Sequence, residues 1–390
     1  QAEVRAIFIP GIHPNDFSRK RVCPKIPGED MNSMEFIKYM GYPVEEHFVT
    51  SEDGYILRLH RIPATQDSPA VLLHHGLLES SFSWLVNGRN KSLAFILASE
   101  GYDVWLGNAR GNTYSRNHTT LSTSDSAFWD FSWHEMGIYD LPAEIQYISN
   151  LKDDKLFYIG HSMGTTIFLV MAAERPDIAF QIKAMIGLAP AAYLNHMDGL
   201  FRTVAPLLHS IQVDHGVKGA SEFFGHNALY RIIVNFSCDK PALKQLMVDF
   251  VFSIVGFSPE QLNTTVLPLV FTHSPAGTSL KTAFHYIQNF WKKNFRFYDY
   301  GQAENLRIYN NKEPPEYNIS KISVPIAIYW AENDFLSRPA DVVRLYEKLE
   351  KKIGLFKIED PKFNHEDFIW GIGAPELVYK RLLEVMEEYR

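Results

Sequence analysis

The chain is poor in cysteine: Cys23 and Cys238 are the only two among 390 residues. That excludes a cysteine-built metal cluster and leaves room for at most one disulfide, with the pairing of these two open. None of the 15 histidines falls in an H-E-x-x-H arrangement, so no helical zinc motif is present. An excess of basic residues is lacking as well. Lys and Arg number 38 against 45 Asp and Glu, a net charge of −7, and phosphate backbones need the opposite balance. The longest apolar stretch, Val248 to Phe257, carries Asp249 and falls short of the ~20 residues that span a bilayer. There is no phosphate-cradling glycine loop, internal repeat or low-complexity tract.

What is present is a globular composition, 46% hydrophobic and 21% charged, with 14% aromatics that suit a large apolar pocket. The chain opens on Gln1 rather than Met, as a processed product would. Candidate N-glycosylation acceptors occur at Asn90, Asn117, Asn235, Asn263 and Asn318. Together with the few cysteines they point to the secretory pathway, lysosomal or extracellular.

Apolar runs alternate with helical patterns over much of the chain. A hairpin is expected from Glu46 to Arg61 around Asp53-Gly54. Strands follow at Ala70–His74, Tyr102–Leu106, Lys155–Ile159, Ile182–Leu188, Pro325–Trp330 and Leu355–Ile358. Helices are expected at Met31–Met40, Leu93–Glu100, Leu141–Leu151, Ala340–Lys352 and Pro375–Tyr389. This is an α/β pattern, a mostly parallel sheet covered on both faces. Between Ala191 and Ile319 the alternation stops and a Phe-rich, helical stretch intervenes. The expected organisation is an N-terminal arm (1–30), a first core segment (31–190), a helical cap or lid (191–319) and a second core segment (320–390).

Gly160-His161-Ser162-Met163-Gly164 sits where the strand at Lys155–Ile159 meets a helix-forming run. A serine on such a strand-turn-helix corner is exposed as a nucleophile, and glycines two before and two after it let strand and helix pass closely. The hydroxyl needs a base, itself oriented by a carboxylate, and on this fold the chain order is Ser, acid, His. Asp334, in the loop after Ile326–Trp330, takes the acid role ahead of its neighbour Glu332. His365, between the last strand and the last helix, takes the base role. Two backbone N–H groups are expected to receive the oxyanion, those of Met163 and of Leu77 in His75-Gly76-Leu77-Leu78. Adjacent His74 and His75 point apart on a strand and argue against joint metal ligation. Arg110, Asn112 and Asp140 read as structural, and His273 and His285 as ordinary polar contacts.

Several of these motifs recur in one order: His75 to Leu78, Gly107 to Thr113, Tyr139 to Ala143, Gly160 to Thr166, His273 to Ser279 and Asn333-Asp334. In this the chain resembles the acid lipase family of gastric and lysosomal lipases, from about Met31 to Met386. The resemblance implies an α/β-hydrolase with a helical cap, acting on triacylglycerols and sometimes cholesteryl esters at a lipid–water interface, without metal or cofactor. It lays the nucleophile, acid and base on Ser162, Asp334 and His365, and the oxyanion donors on Leu77 and Met163. The family often has Gln where this chain has Met163, which keeps the N–H and loses a side-chain hydrogen bond. Gastric and lysosomal members also carry more cap cysteines than the single Cys238. A soluble short-chain esterase and a silent lipid carrier on the same fold are the alternatives.

Overall fold

A computed structural model describes residues 27–214, 219–225 and 241–390. The expected N-terminal arm falls almost wholly outside the described residues, as do Cys23, Cys238 and Asn235.

The central sheet has nine strands: β1 (Glu45–Thr50), β2 (Tyr55–Ile62), β3 (Ala70–His74), β4 (Asp103–Leu106), β5 (Asn117–His118), β6 (Leu156–His161), β7 (Ile182–Leu188), β10 (Ile326–Trp330) and β11 (Lys352–Lys357). A separate two-stranded ladder joins β8 (Glu222–Phe223) to β9 (Thr278–Ser279). The main sheet runs β1-β2-β4-β3-β6-β7-β10-β11, with β5 on β2. The hairpin β1–β2 and the β2–β4 contact are antiparallel, and every pairing from β4 to β11 is parallel.

Strands buried on both faces should send alternate side chains to two separate cores. Leu72, Tyr158, Ile326 and Ile328 pack on one side. Val71, Leu73, Phe157, Ile159, Ala327 and Tyr329 pack on the other. The helices divide in the same way. On the first side lie α3 (Leu141–Lys152), α4 (Met163–Glu174) and α10 (Pro339–Lys348). On the second lie α1 (Ser33–Tyr39), α2 (Leu93–Ser99) and α11 (Lys380–Glu388). Each fully buried Leu, Ile or Phe contributes about 1.5–3 kcal/mol, so this two-sided core is the main source of stability.

Between β7 and β10 the described residues form helices α5 (Gly199–Asp214), α6 (Pro241–Val255), α7 (Leu267–His273), α8 (Leu280–Lys292) and α9 (Gln302–Tyr309). One face of α6 is buried through Val248, Phe252 and Val255. Another leaves Leu246 and Phe250 exposed.

Two element ends depart from expectation. The helix starting near Ala340 stops at Lys348, where Leu349 turns extended, and the last strand begins at Lys352 rather than Leu355. As an edge strand beside β10 alone, β11 is half-buried and starts on a lysine, so no apolar run announces its start.

The chain passes from β3 outward to β4 and later returns to place β6 on the other side of β3. The sheet order therefore reverses between β3 and β6, which opens a crevice at their C-terminal ends. Ser162 follows β6 there, and Gly76 follows β3.

Candidate active site

Ser162 adopts φ 50°, ψ −113° at the corner between β6 and α4. A serine preceding a helix ordinarily spends its hydroxyl on the first free N–H groups. Here it makes no such cap bond, so the Oγ stays available. The corner is held from behind. Thr165 Oγ1 donates to Ser162 O (2.6 Å), Tyr158 OH donates to Gly164 O (2.7 Å), and Ser162 N–H donates to Leu188 O (3.0 Å).

The two glycines are required by contacts that differ from each other. A Cβ on Gly160 would lie 2.6 Å from the carbonyl carbon of Gly164, strand against helix. A Cβ on Gly164 would lie 2.2 Å from the carbonyl oxygen of His74, helix against the neighbouring strand β3. The second contact presses α4 onto the start of the 75–80 loop.

That loop is braced on every side. His75 Nδ1 donates to Gly76 O (2.8 Å), and its Nε2 accepts from Ala109 N–H (3.1 Å) and Asn112 Nδ2 (3.2 Å). Burial holds His75 below the usual histidine range, so it is a neutral strut with a fixed tautomer. Gly76 N–H donates to Glu79 Oε2 (2.8 Å). A Cβ on Gly76 would lie 3.4 Å from Ser162 Cβ, so the backbone leading into Leu77 runs directly beside the serine. Met163 is the first residue of α4, where N–H groups have no helical partner and the dipole favours an anion.

Asp334 and His365 are both buried, and His365 Nδ1 lies 2.8 Å from Asp334 Oδ2. The other carboxylate oxygen accepts N–H groups from Leu336 (2.8 Å) and Ser337 (2.7 Å), which fixes the carboxylate plane. An ionised Asp334 accepts only, so the proton of His365 is on Nδ1 and the lone pair on Nε2. That nitrogen is buried without a hydrogen-bond partner. The ring stands beside the corner because His161 Nε2 donates to His365 O (2.9 Å) and the two rings lie 5.0 Å apart. No hydrogen bond joins Ser162 to His365 Nε2, and catalytic hydrogen bonds of this kind often tighten only when substrate binds. Glu332 is exposed and paired with Lys357 (2.7 Å), away from the site.

The acid and base loops are also tied to the end of α6. Val255 O accepts N–H groups from Phe335 (3.4 Å) and His365 (3.3 Å). Asn333 Nδ2 donates to Phe257 O (2.9 Å), and Asn364 Nδ2 donates to Gly256 O (2.8 Å).

Arg110 is buried and clamps the carboxylates of Asp53 and Asp140, with its guanidinium over the Tyr55 ring. Asn112 joins His75, Asn108 and the Glu79 carbonyl. These residues brace the site without lining it, as their sequence context suggested. His285 lies stacked on Trp133 and bonded to Ser132 and Arg296, in keeping with a polar contact.

Sequence reasoning missed the group of buried Glu79 and His161 with half-buried Glu366, whose ligand-type atoms all lie within 4.8 Å of one another. His161 stood inside the motif, but nothing in the sequence joins it to two glutamates 82 and 205 residues away. The donor set fits a proton better than a cation. Glu79 Oε2 is already taken by Gly76 N–H, and burial pushes the Glu366 carboxyl well above its usual range, which keeps it neutral.

A buried imidazole on a carboxylate, next to a strained serine at the reversal point of a parallel sheet, defines a serine hydrolase of the α/β-hydrolase class. Residues 69–209 match the family described as the alpha/beta hydrolase fold, and residues 33–88 the partial alpha/beta-hydrolase lipase region. The chain is 40% identical over 354 residues to Lipase 1 of Drosophila melanogaster, covering 90% of this chain and 79% of that one. It is 39% identical to the gastric triacylglycerol lipase of Homo sapiens, covering 94% of each. With the human lysosomal acid lipase/cholesteryl ester hydrolase it shares 38%, covering 93% of this chain and 92% of the other. The chain belongs to the acid lipase family of gastric and lysosomal lipases. Among solved structures, a Sulfolobus solfataricus protein superposes with a TM-score of 0.61 at 13% identity, covering 89% of this chain and 94% of the other. The alpha/beta hydrolase GrgF from Penicillium sp. sh18 gives 0.53 at 16%, covering 89% and 99%, and both likenesses concern the fold alone.

Proposed function

We propose that this chain is a lipase that hydrolyses the carboxylic esters of lipids through an acyl-enzyme, with Ser162 as nucleophile, His365 as general base and Asp334 as its orienting acid. His365 Nε2 takes the Ser162 proton as Oγ attacks the acyl carbonyl. The oxyanion is received by the N–H groups of Leu77 and Met163. The imidazolium then protonates the departing alcohol, and water activated by the same nitrogen releases the fatty acid. The observation that carries this reading is the unpartnered His365 Nε2, held by Asp334 beside a serine whose hydroxyl caps nothing.

The lipid half of the reading rests on two supports. The relatives are named for triacylglycerol and cholesteryl ester, and the segment 191–319, taken as a cap over the crevice, exposes Leu207, Leu246, Phe250 and Phe257. A lipid–water interface is the matching partner. No helix of the described residues is long and apolar enough to cross a membrane. Secretory-pathway residence, extracellular or lysosomal, is supported by the relatives and by exposed acceptor residues at Asn90, Asn117 and Asn318; Asn263 is half-buried.

Ser162→Ala is expected to abolish turnover and labelling by a fluorophosphonate probe while the protein stays folded. Undiminished turnover in the purified variant overturns the assignment, and a wild-type protein that fails to label is a carrier. Emulsified triolein against a soluble butyrate ester separates lipase from short-chain esterase.

A further inference from the structure

The cluster of Glu79, His161 and Glu366 joins three segments that carry the reaction. Glu79 belongs to the loop bearing the Leu77 N–H, His161 precedes Ser162, and Glu366 follows His365. Glu79 and His161 are almost wholly buried. One ligand-type atom from each of Glu79, His161 and Glu366 lies within 4.8 Å of the other two, and His161 Nδ1 stands 3.5 Å from Glu79 Oε2. Glu79 Oε1, His161 Nδ1 and Glu366 Oε2 have no hydrogen-bond partner.

Two carboxylates held within 4.8 Å of each other repel strongly once removed from water. A single shared proton converts the repulsion into a short, charge-assisted hydrogen bond. We propose that Glu79 and Glu366 share one proton, and that this bond clamps the oxyanion loop to the loop of the general base, making Glu366 a positioning residue that sets the upper pH limit of activity. The proposal rests on the reading of Ser162 and His365 given above.

The surroundings assign the proton to Glu366. Burial raises its carboxyl first, and the charges of Glu79, Asp334 and Asp367 raise it further. Burial would raise Glu79 too, but the neighbouring His161 ring and the Gly76 N–H donated to its Oε2 hold it low. Glu366 shares a cleft with Val248, Val251, Phe252 and Val255 of α6 and Leu267 and Phe271 of α7, together with neutral Gln261 and the acid Asp367. Among the described residues that line this cleft, none is basic.

The sign follows from which state keeps the proton. Glu366 holds its proton more tightly folded than unfolded. Its contribution to stability is therefore complete below the usual glutamate value of 4.5 and is lost as pH rises through the folded value. In the same window the clamp opens and the Leu77 N–H drifts from the serine, so turnover falls with stability.

The experiment compares wild type, Glu366→Gln and Glu79→Gln as full chains, by thermal unfolding from pH 4.5 to 8.5 and by kcat/KM on a soluble ester over the same range. Glutamine keeps a donor and cannot ionise. The expected result is an alkaline limb of kcat/KM displaced upward by at least about one pH unit in both variants, with a flatter decline of Tm. Asp367 also titrates in this range and interacts with Glu366, so the three proteins are compared in an Asp367→Asn background as well. Limbs and Tm profiles that superpose on wild type overturn the proposal. So does a stoichiometric divalent metal in the purified protein whose chelation lowers Tm. If the wild type hydrolyses no ester the catalytic reading fails, and the pH dependence of Tm still decides whether the proton is shared.

Discussion

Replacing Gly164 by alanine tests whether the nucleophile corner is positioned by backbone contact. The new Cβ would lie 2.2 Å from the His74 carbonyl oxygen, 2.9 Å from its carbon and 3.2 Å from the His75 oxygen. Real Cβ contacts essentially never fall under 3.0 Å, so α4 and the end of β3 must separate by at least 0.8 Å (3.0 Å against 2.2 Å). All three obstacles are main-chain atoms at the end of β3 and of the residue that follows it, which cannot rotate aside as a side chain can. The expected destabilisation is the upper part of the ~1–3 kcal/mol typical of overpacking. The same movement carries Ser162 and Met163 away from Gly76 and Leu77. A misplacement near 1 Å costs about 10²-fold in rate, so kcat/KM should fall by about that factor beyond any loss of folded protein. Urea unfolding gives the first quantity, and initial rates on a soluble ester, corrected for folded fraction, give the second. Gly187→Ala is the control on β7: its Cβ would meet the flexible Met185 Cε at 3.2 Å, and the expected change is under about 1.5 kcal/mol. A Gly164→Ala protein with wild-type midpoint and wild-type rate refutes the reasoning.

Asp334→Asn should lower kcat on the order of 10⁴-fold with little change in fold. The Leu336 and Ser337 N–H groups hold the amide oxygen, so its NH₂ faces His365 Nδ1 and forces the proton onto Nε2. A rate within tenfold of wild type contradicts the assigned tautomer. Gly256→Ala places a Cβ 2.0 Å from Asn333 O at a φ of +112°, and should lower both Tm and kcat by disturbing the acid loop; an unchanged kcat separates α6 from the acid. Asp367, raised to about 7 chiefly by burial, loses its contribution to stability as pH climbs from the usual 3.8 through that value. Asp367→Asn should therefore gain Tm relative to wild type at pH 8 more than at pH 5, read by thermal unfolding at both.

The proposed catalytic residues were legible because chemistry restricts them. A nucleophile corner needs glycines, and a base must follow the acid in chain order, so local strand and loop context offered Ser162, Asp334 and His365 as candidates. The alternation of apolar runs likewise revealed the parallel strands, since strands covered on both faces need continuous hydrophobicity. The edge strand β11 obeys no such rule, and its first residues read as the tail of a charged helix. Glu79 and Glu366 were invisible for another reason. Each looks like an ordinary loop acid, and only the folded chain brings them together and removes them from water. His75 was read as an unlikely metal ligand and as the first residue of the Leu77 motif, whereas its ring also braces the loop that bears the Leu77 N–H.

The ties at the end of α6 bear on how selectivity and chemistry are divided. At about 1.5 Å per residue, the fifteen residues of α6 make a rod about 22 Å long, anchored at Val255 and Gly256. A swing of about 20° around that anchor displaces the far end by about 8 Å and scarcely moves the carbonyls that hold His365 and Phe335. The exposed Leu246 and Phe250 would be carried with that end in such a swing. Residues there can therefore diversify toward different lipids while the proton-transfer geometry stays constant, so that natural variation along this rod should read out in KM and leave kcat almost alone.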